Sequence, residues 1–180
     1  VNVDRIAVFG SAFNPPHRGH EDVIAQALAV FDHVLVVPNF KHAFGKVMMP
    51  FELRLAMAQS LAVESSTPNK VTVLDVERDI AQRKMAVGDD TPIYTYDVLC
   101  ELETRYTQAQ LHFVIGPDNA DPTVWRQFYK ASEITRRWQL WFAQERIAVR
   151  STLIREGLEK GVLPHLGQCN AVVIDLLRQR

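Results

Sequence analysis

Short apolar runs rich in β-branched side chains recur along the chain: Ile6 to Phe9, Val34 to Val37, Val71 to Val76, Leu111 to Ile115 and Gln139 to Ala143. Each is short and reads as a strand rather than a helix, most of them on their β-branched content. Segments of helical periodicity lie between most of them. Val23, Ile24, Ala27, Leu28 and Phe31 share one stripe, and Pro50 suits a first helical turn before Leu53, Leu55, Met57, Ala58 and Leu61. That second helix ends near a polar turn, Glu64 to Lys70, and a third runs from Tyr96 to Tyr106 on Val98, Leu99 and Leu102. Strands alternating with helices require a mainly parallel sheet, covered on both faces and joined by right-handed crossovers. The expected fold class is therefore α/β: a doubly wound, Rossmann-like parallel sheet, with residues 1–180 forming a single domain.

The remaining segments fit this plan. Ser151 is placed to cap a helix through Leu153, Ile154 and Leu158 that stops at Gly161, and Asn170 to cap a last helix, Ala171 to Leu177. The polar stretch Arg78 to Thr91, with Gly88-Asp89-Asp90, reads as a mobile loop. At 180 residues the chain is long enough to bury about 70% of its unfolded surface in one core. Twenty basic side chains against 21 acidic ones leave a formal charge of −1, so no global basic field draws it to nucleic acid or an anionic membrane. Its longest apolar runs are too short to cross a bilayer, and its beginning lacks a charged-then-apolar signal pattern. A cytoplasmic protein is expected. Cys100 and Cys169 have no CxxC spacing and read as free thiols. Homo-oligomerisation is left open, because exposed and core apolar residues look alike in a sequence.

The stretch Gly10-Ser-Ala-Phe-Asn-Pro-Pro-His-Arg-Gly-His20 lies between the first strand and the first helix. In an open parallel sheet, ligands bind beyond the carboxyl ends of the strands where the strand order reverses. Small residues and free backbone N–H groups there can approach phosphate oxygens, and the helix start favours negative charge. Gly19 permits a turn or close approach between His17 and His20. Neither GxxxxGK[ST] nor GxGxxG follows the first strand. The two histidines can therefore be an anion site, capping or packing residues, or a zinc pair. No further Cys or His cluster nearby supports zinc.

These residues resemble the nucleotidyltransferase α/β phosphodiesterase superfamily, and within it bacterial nicotinate or nicotinamide mononucleotide adenylyltransferases. The usual opening there looks like GGTFDPPHxGH. A second signature, ISSTxIR-like, is matched by Val149-Arg-Ser-Thr-Leu-Ile-Arg155. Val37-Pro38, Ile93-Tyr94-Thr95, Ile115-Gly116-Pro-Asp118 and Trp125 look like further family positions, so the likeness covers nearly the whole chain.

The resemblance implies transfer of the adenylyl group of ATP to the phosphate of a pyridine mononucleotide. That phosphate attacks the α-phosphorus in line and expels pyrophosphate, with no covalent enzyme intermediate. His17, His20 and Arg155 would be catalytic, the histidines at the α-phosphate and Arg155 at the leaving pyrophosphate. Gly10, Ser11, Ala12, Phe13, Gly116, Asp118, Ser151 and Thr152 would bind ATP. Asn14, Lys46, Tyr94, Thr95 and Trp125 would bind the mononucleotide, with Mg2+ arriving on ATP and no protein metal site. For several of these a plainer reading stands beside the functional one. Lys46 and His42 can be a solvated face, Arg54 a surface residue of its helix, Trp125 core packing, and Gly116 and Asp118 turn formers. The chain departs from the family pattern at Ser11 and Ala12 (usually Gly and Thr), at Asn14 (usually Asp) and at Arg150 (often Ser). Rival readings are transfer to phosphopantetheine, cytidylyl transfer to an alcohol phosphate, or a noncatalytic nucleotide sensor.

Overall fold

The computed structural model describes residues 3–41 and 45–180; His42 lies outside them. Five strands form one parallel sheet: β1 (Asp4–Ser11), β2 (His33–Pro38), β3 (Val71–Val73), β4 (Ala109–Ile115) and β5 (Gln139–Phe142), in the order β3-β2-β1-β4-β5. The α/β, doubly wound expectation holds. Side chains of β1 alternate between the two faces, as a pleated strand requires, and both faces are covered. Ile6 and Val8 enter one core with Leu35, Phe113, Val98, Leu99 and Leu102. Ala7 and Phe9 enter the other with Val23, Ile24, Val36 and Leu61. A strand buried on both sides has to be apolar throughout, which is why Ile6 to Phe9 reads as an unbroken run.

The second core is roofed by α1 (Arg18–Leu28) and α2 (Phe51–Val63), the first by α3 (Val76–Ala86), α4 (Thr95–Arg105) and α6 (Ala131–Arg137). A short helix, α5 (Pro122–Trp125), follows β4. The terminal helices α7 (Ser151–Glu159) and α8 (Ala171–Arg178) pack on α2 through Met57, Ile154, Cys169, Val173 and Leu177. Asn170 caps α8 as its sequence position suggests, its Oδ1 accepting from Val173 N at 3.0 Å. Its Nδ2 donates to Ser60 Oγ and Glu21 Oε1, tying α8 to α2 and α1. Gly161, past the end of α7, adopts φ +74°, the conformation that suits glycine. Both cysteines are free thiols.

Three local expectations are corrected. The third strand stops at Val73, and much of the stretch expected to be a loop is helix α3, running to Ala86. That helix buries only Val76, Glu77, Ile80 and Ala81. Its remaining face is charged and reaches α4 through Arg83–Glu101 and Arg105–Asp79 pairs at 2.6 and 3.0 Å. Ser151 does not cap α7 either: Arg150 occupies that position, and the Ser151 hydroxyl donates to Pro15 O at 2.8 Å. Ser151 is the first residue inside the helix, and its hydroxyl ties α7 to the loop after β1.

Candidate active site

A cleft of about 680 Å³ opens beyond the carboxyl ends of β1, β2 and β4. It straddles β1 and β4, where the chain order reverses, the place where an open α/β sheet leaves a crevice. Its floor is Gly10, Ser11 and Ala12, and its walls carry His17, His20, Glu77, Tyr94, Thr95, Gly116, Asp118, Tyr129, Arg146 and Arg150.

The two histidines form the first turn of α1. His17 is its N-cap, in extended conformation, and its Nδ1 accepts from Gly19 N at 3.0 Å, while His20 Nδ1 accepts from His17 N at 3.0 Å. This is a reciprocal capping box built from imidazoles. The capping reading and the functional one are therefore compatible, because each ring uses Nδ1 for the cap and keeps Nε2. An Nδ1 that accepts a hydrogen bond places the neutral ring's proton on Nε2. The rings stack with centroids 3.8 Å apart, and Phe13 packs on His20 at 4.8 Å. Burial pushes the His17 pKa down to about 4, helped by the Arg150 charge, and burial with the His17 neighbour holds His20 well below the ordinary value. At neutral pH the cleft thus carries two uncharged N–H donors. Gly19 has no room for a side chain: a Cβ would sit 2.8 Å from His17 Cε1 and 3.2 Å from Ile147 O.

The backbone N–H groups at the start of α1 are already engaged. Arg18 N donates to Gln168 O, Gly19 N to His17 Nδ1 and His20 N to His17 O. The expectation that free N–H groups of this turn receive phosphate is therefore replaced by imidazole donors there. The loop before α1 is held from beneath. Phe13 takes φ +46°, strained for an aromatic residue, and is fully buried with its ring edge-on to Phe9. Asn14, also buried, accepts from Met49 N at 3.0 Å through Oδ1. Arg54, 1% exposed, is no surface decoration. Its guanidinium donates to Met49, Ala12, Asn39 and Phe40 carbonyls at 2.8, 2.8, 2.7 and 3.3 Å, joining the loop after β1 to the loop after β2.

The residues singled out from the sequence divide accordingly. Gly10, Ser11, Ala12, His17, His20, Lys46, Tyr94, Thr95, Gly116 and Asp118 line the cleft. Phe13, Asn14, Ser151, Thr152, Arg155 and Trp125 are not among its lining residues. Arg155 donates to Asn14 O at 2.8 Å and to Thr152 Oγ1 at 3.2 Å, so α7 supports the histidine loop from below. Trp125 is half-buried against the core. The aromatic wall is instead Tyr94 stacked on Tyr129, with centroids 4.4 Å apart and planes 27° from parallel.

Glu77 and Tyr129 were not singled out by the sequence. Glu77, 3% exposed, accepts from Asn39 Nδ2 at 2.8 Å and Phe40 N at 3.1 Å. Burial raises its pKa to about 7, against the opposing effect of those hydrogen bonds and of Arg54. Its sequence signal is the spacing Val76, Glu77, Ile80 and Ala81, a narrow helical face that also marks α3.

The cytidylyltransferase-like family model matches residues 8–157. A protein of Myxococcus xanthus named "Probable nicotinate-nucleotide adenylyltransferase" is 31% identical over 172 residues, covering 89% of this chain and 85% of that protein. The crystal structure of "a Putative Nicotinate-nucleotide Adenylyltransferase" from Vibrio parahaemolyticus superposes with a TM-score of 0.76 at 32% identity, over 97% of this chain and 99% of that one. The Plasmodium falciparum nicotinic acid mononucleotide adenylyltransferase complexed with NaAD shares the fold, with a TM-score of 0.71 at 15% identity over 98% and 95% of the two chains. The chain belongs to the cytidylyltransferase-like family and, within it, to the nicotinate-nucleotide adenylyltransferases.

Proposed function

We propose that this chain is an adenylyltransferase of NAD biosynthesis, acting as one nucleotidyltransferase domain that joins AMP from ATP to nicotinate or nicotinamide mononucleotide with release of pyrophosphate. The observation that carries the reading is the stacked pair His17 and His20 at the strand-order reversal, each using Nδ1 in the helix cap. The nucleophile, a mononucleotide phosphate, is already an anion, so the reaction needs alignment and stabilisation of developing charge more than a general base. The His17 and His20 imidazoles donate to oxygens of the α-phosphate, where charge builds up during transfer. Burial keeps both rings uncharged at neutral pH, so that each donates without carrying a proton to give up.

ATP lies across Gly10, Ser11 and Ala12, whose small side chains let the backbone come close. Its adenosine faces Gly116 and Asp118, a hydroxyl acceptor. The mononucleotide occupies the side bounded by Lys46, Tyr94 and Thr95. Phe13, Asn14, Ser151, Thr152 and Arg155 act from beneath by fixing the loop that carries the histidines. Among the described residues no group of three His, Cys, Asp or Glu side chains converges to hold a metal. A set of uncharged donors with isolated carboxylates fits Mg2+ carried by the phosphates and water. When bound, the ion neutralises phosphate charge. Among the described residues no helix is long and apolar enough to cross a membrane, and a cytoplasmic site of action fits the two free thiols.

The test is pyrophosphate release and product identification with ATP and Mg2+ against nicotinate mononucleotide, nicotinamide mononucleotide and phosphopantetheine in parallel. Dinucleotide from a pyridine mononucleotide is expected. Turnover with phosphopantetheine alone, or with none of the three, contradicts the reading.

A further inference from the structure

Arg150, the residue before α7, stands at the cleft wall with its side chain 44% exposed. Its Nε is 3.5 Å from Asp118 Oδ1, its Nη2 pairs with Glu145, and its Nη1 donates to Val149 O at 3.2 Å. Asp118 belongs to the turn after β4 and Glu145 to the segment after β5, so the guanidinium spans two walls of the cleft. It also lies close enough to His17 to help hold that imidazole neutral. Other arginines near it are committed elsewhere: Arg155 to Asn14 O below the loop, and Arg146 to both oxygens of Asp22 at 2.6 and 2.9 Å.

We propose that Arg150 is a binding residue for the polyphosphate of the nucleotide, contacting the phosphates beyond the α position; this rests on the adenylyl-transfer reading of the same cleft. The carboxylates that hold it, Asp118 and Glu145, have side chains 72% and 37% exposed, and ion pairs so open to water are weakly held. A triphosphate offers more charge and paired oxygens that match the planar guanidinium. On its arrival Arg150 exchanges Glu145 for phosphate, and Asp118 is freed for the nucleoside.

Equilibrium binding of ATP, pyrophosphate and AMP to the wild-type chain, Arg150→Ser and Arg150→Lys tests this without any turnover. Loss of a charge-assisted contact predicts about ten- to hundredfold weaker ATP and pyrophosphate binding in Arg150→Ser. AMP should change by less than about threefold, and Arg150→Lys should recover part of the loss. Because the side chain is exposed, Arg150→Lys should melt with the wild type, and Arg150→Ser, which places a capping residue before α7, should melt no lower. Equal losses for ATP and AMP would place Arg150 on the nucleoside through Asp118 and overturn the proposal, as would unchanged ATP binding. A wild-type chain that binds ATP but accepts no pyridine mononucleotide would contradict the proposed function while leaving this comparison intact.

Discussion

His20 does two things with two nitrogens, and the two can be separated. Asparagine places its Oδ1 where histidine has Nδ1, so His20→Asn should keep the hydrogen bond from His17 N and lose the Nε2–H. His20→Ala loses both. Each variant should lose on the order of a hundredfold in turnover, the effect of removing one preorganised donor worth about 3 kcal/mol. Only the alanine variant should also lose about 1 kcal/mol of stability, the worth of a cap. Normal turnover in a folded His20→Asn would take the imidazole out of the chemistry. Trp125 is a second case. With its indole against the core and not among the cleft's lining residues, Trp125→Ala should cost about 3 kcal/mol of stability and leave the KM for the mononucleotide unchanged. A raised KM with an unaltered melting temperature would return the indole to the site.

Among the elements, α3 shows why part of the site was hidden in the sequence. The central strands were legible because burial on both faces leaves them almost wholly apolar, and α1 because its stripe and the histidine spacing agree with a helix start. Helix α3 buries a single narrow face, and its charged side is satisfied by α4, which no local pattern encodes. Glu77 was lost with it. The same holds for Ser151, whose hydroxyl finds its acceptor 136 positions away, and for Arg54, whose four carbonyl partners come together only in the fold. Glu77 also makes a pH prediction. Its folded pKa, about 7, lies above the ordinary 4.5, so between these values the folded chain holds more protons than the unfolded one. Its contribution to stability therefore falls as pH rises through that window, by about 3 kcal/mol in all. Glu77→Gln removes the titration. Denaturant unfolding from pH 4 to 8 should show the variant gaining stability relative to wild type across the window, and a constant difference would mean that the carboxyl ionises normally.

At the scale of the whole molecule, the sheet order places β1 and β4 side by side, and both cores brace the loops that leave them. Helices α7 and α8, packed on α2, bring Arg155 and Ser151 under the histidine loop from the far end of the chain. The result is a cleft whose donors stay fixed while the nucleotides move through it. The central claim is that this cleft moves an intact AMP unit from ATP to a pyridine mononucleotide. Following ATP labelled at its α-phosphorus tests it most directly, with Mg2+ and nicotinate mononucleotide present and the His20→Asn chain as control. The account predicts that the label enters the dinucleotide, that a γ label leaves in pyrophosphate, and that both transfers are slowed on the order of a hundredfold in the control. Label remaining in ATP with no dinucleotide formed by the wild-type chain, or transfer at the same rate by the control, would contradict it.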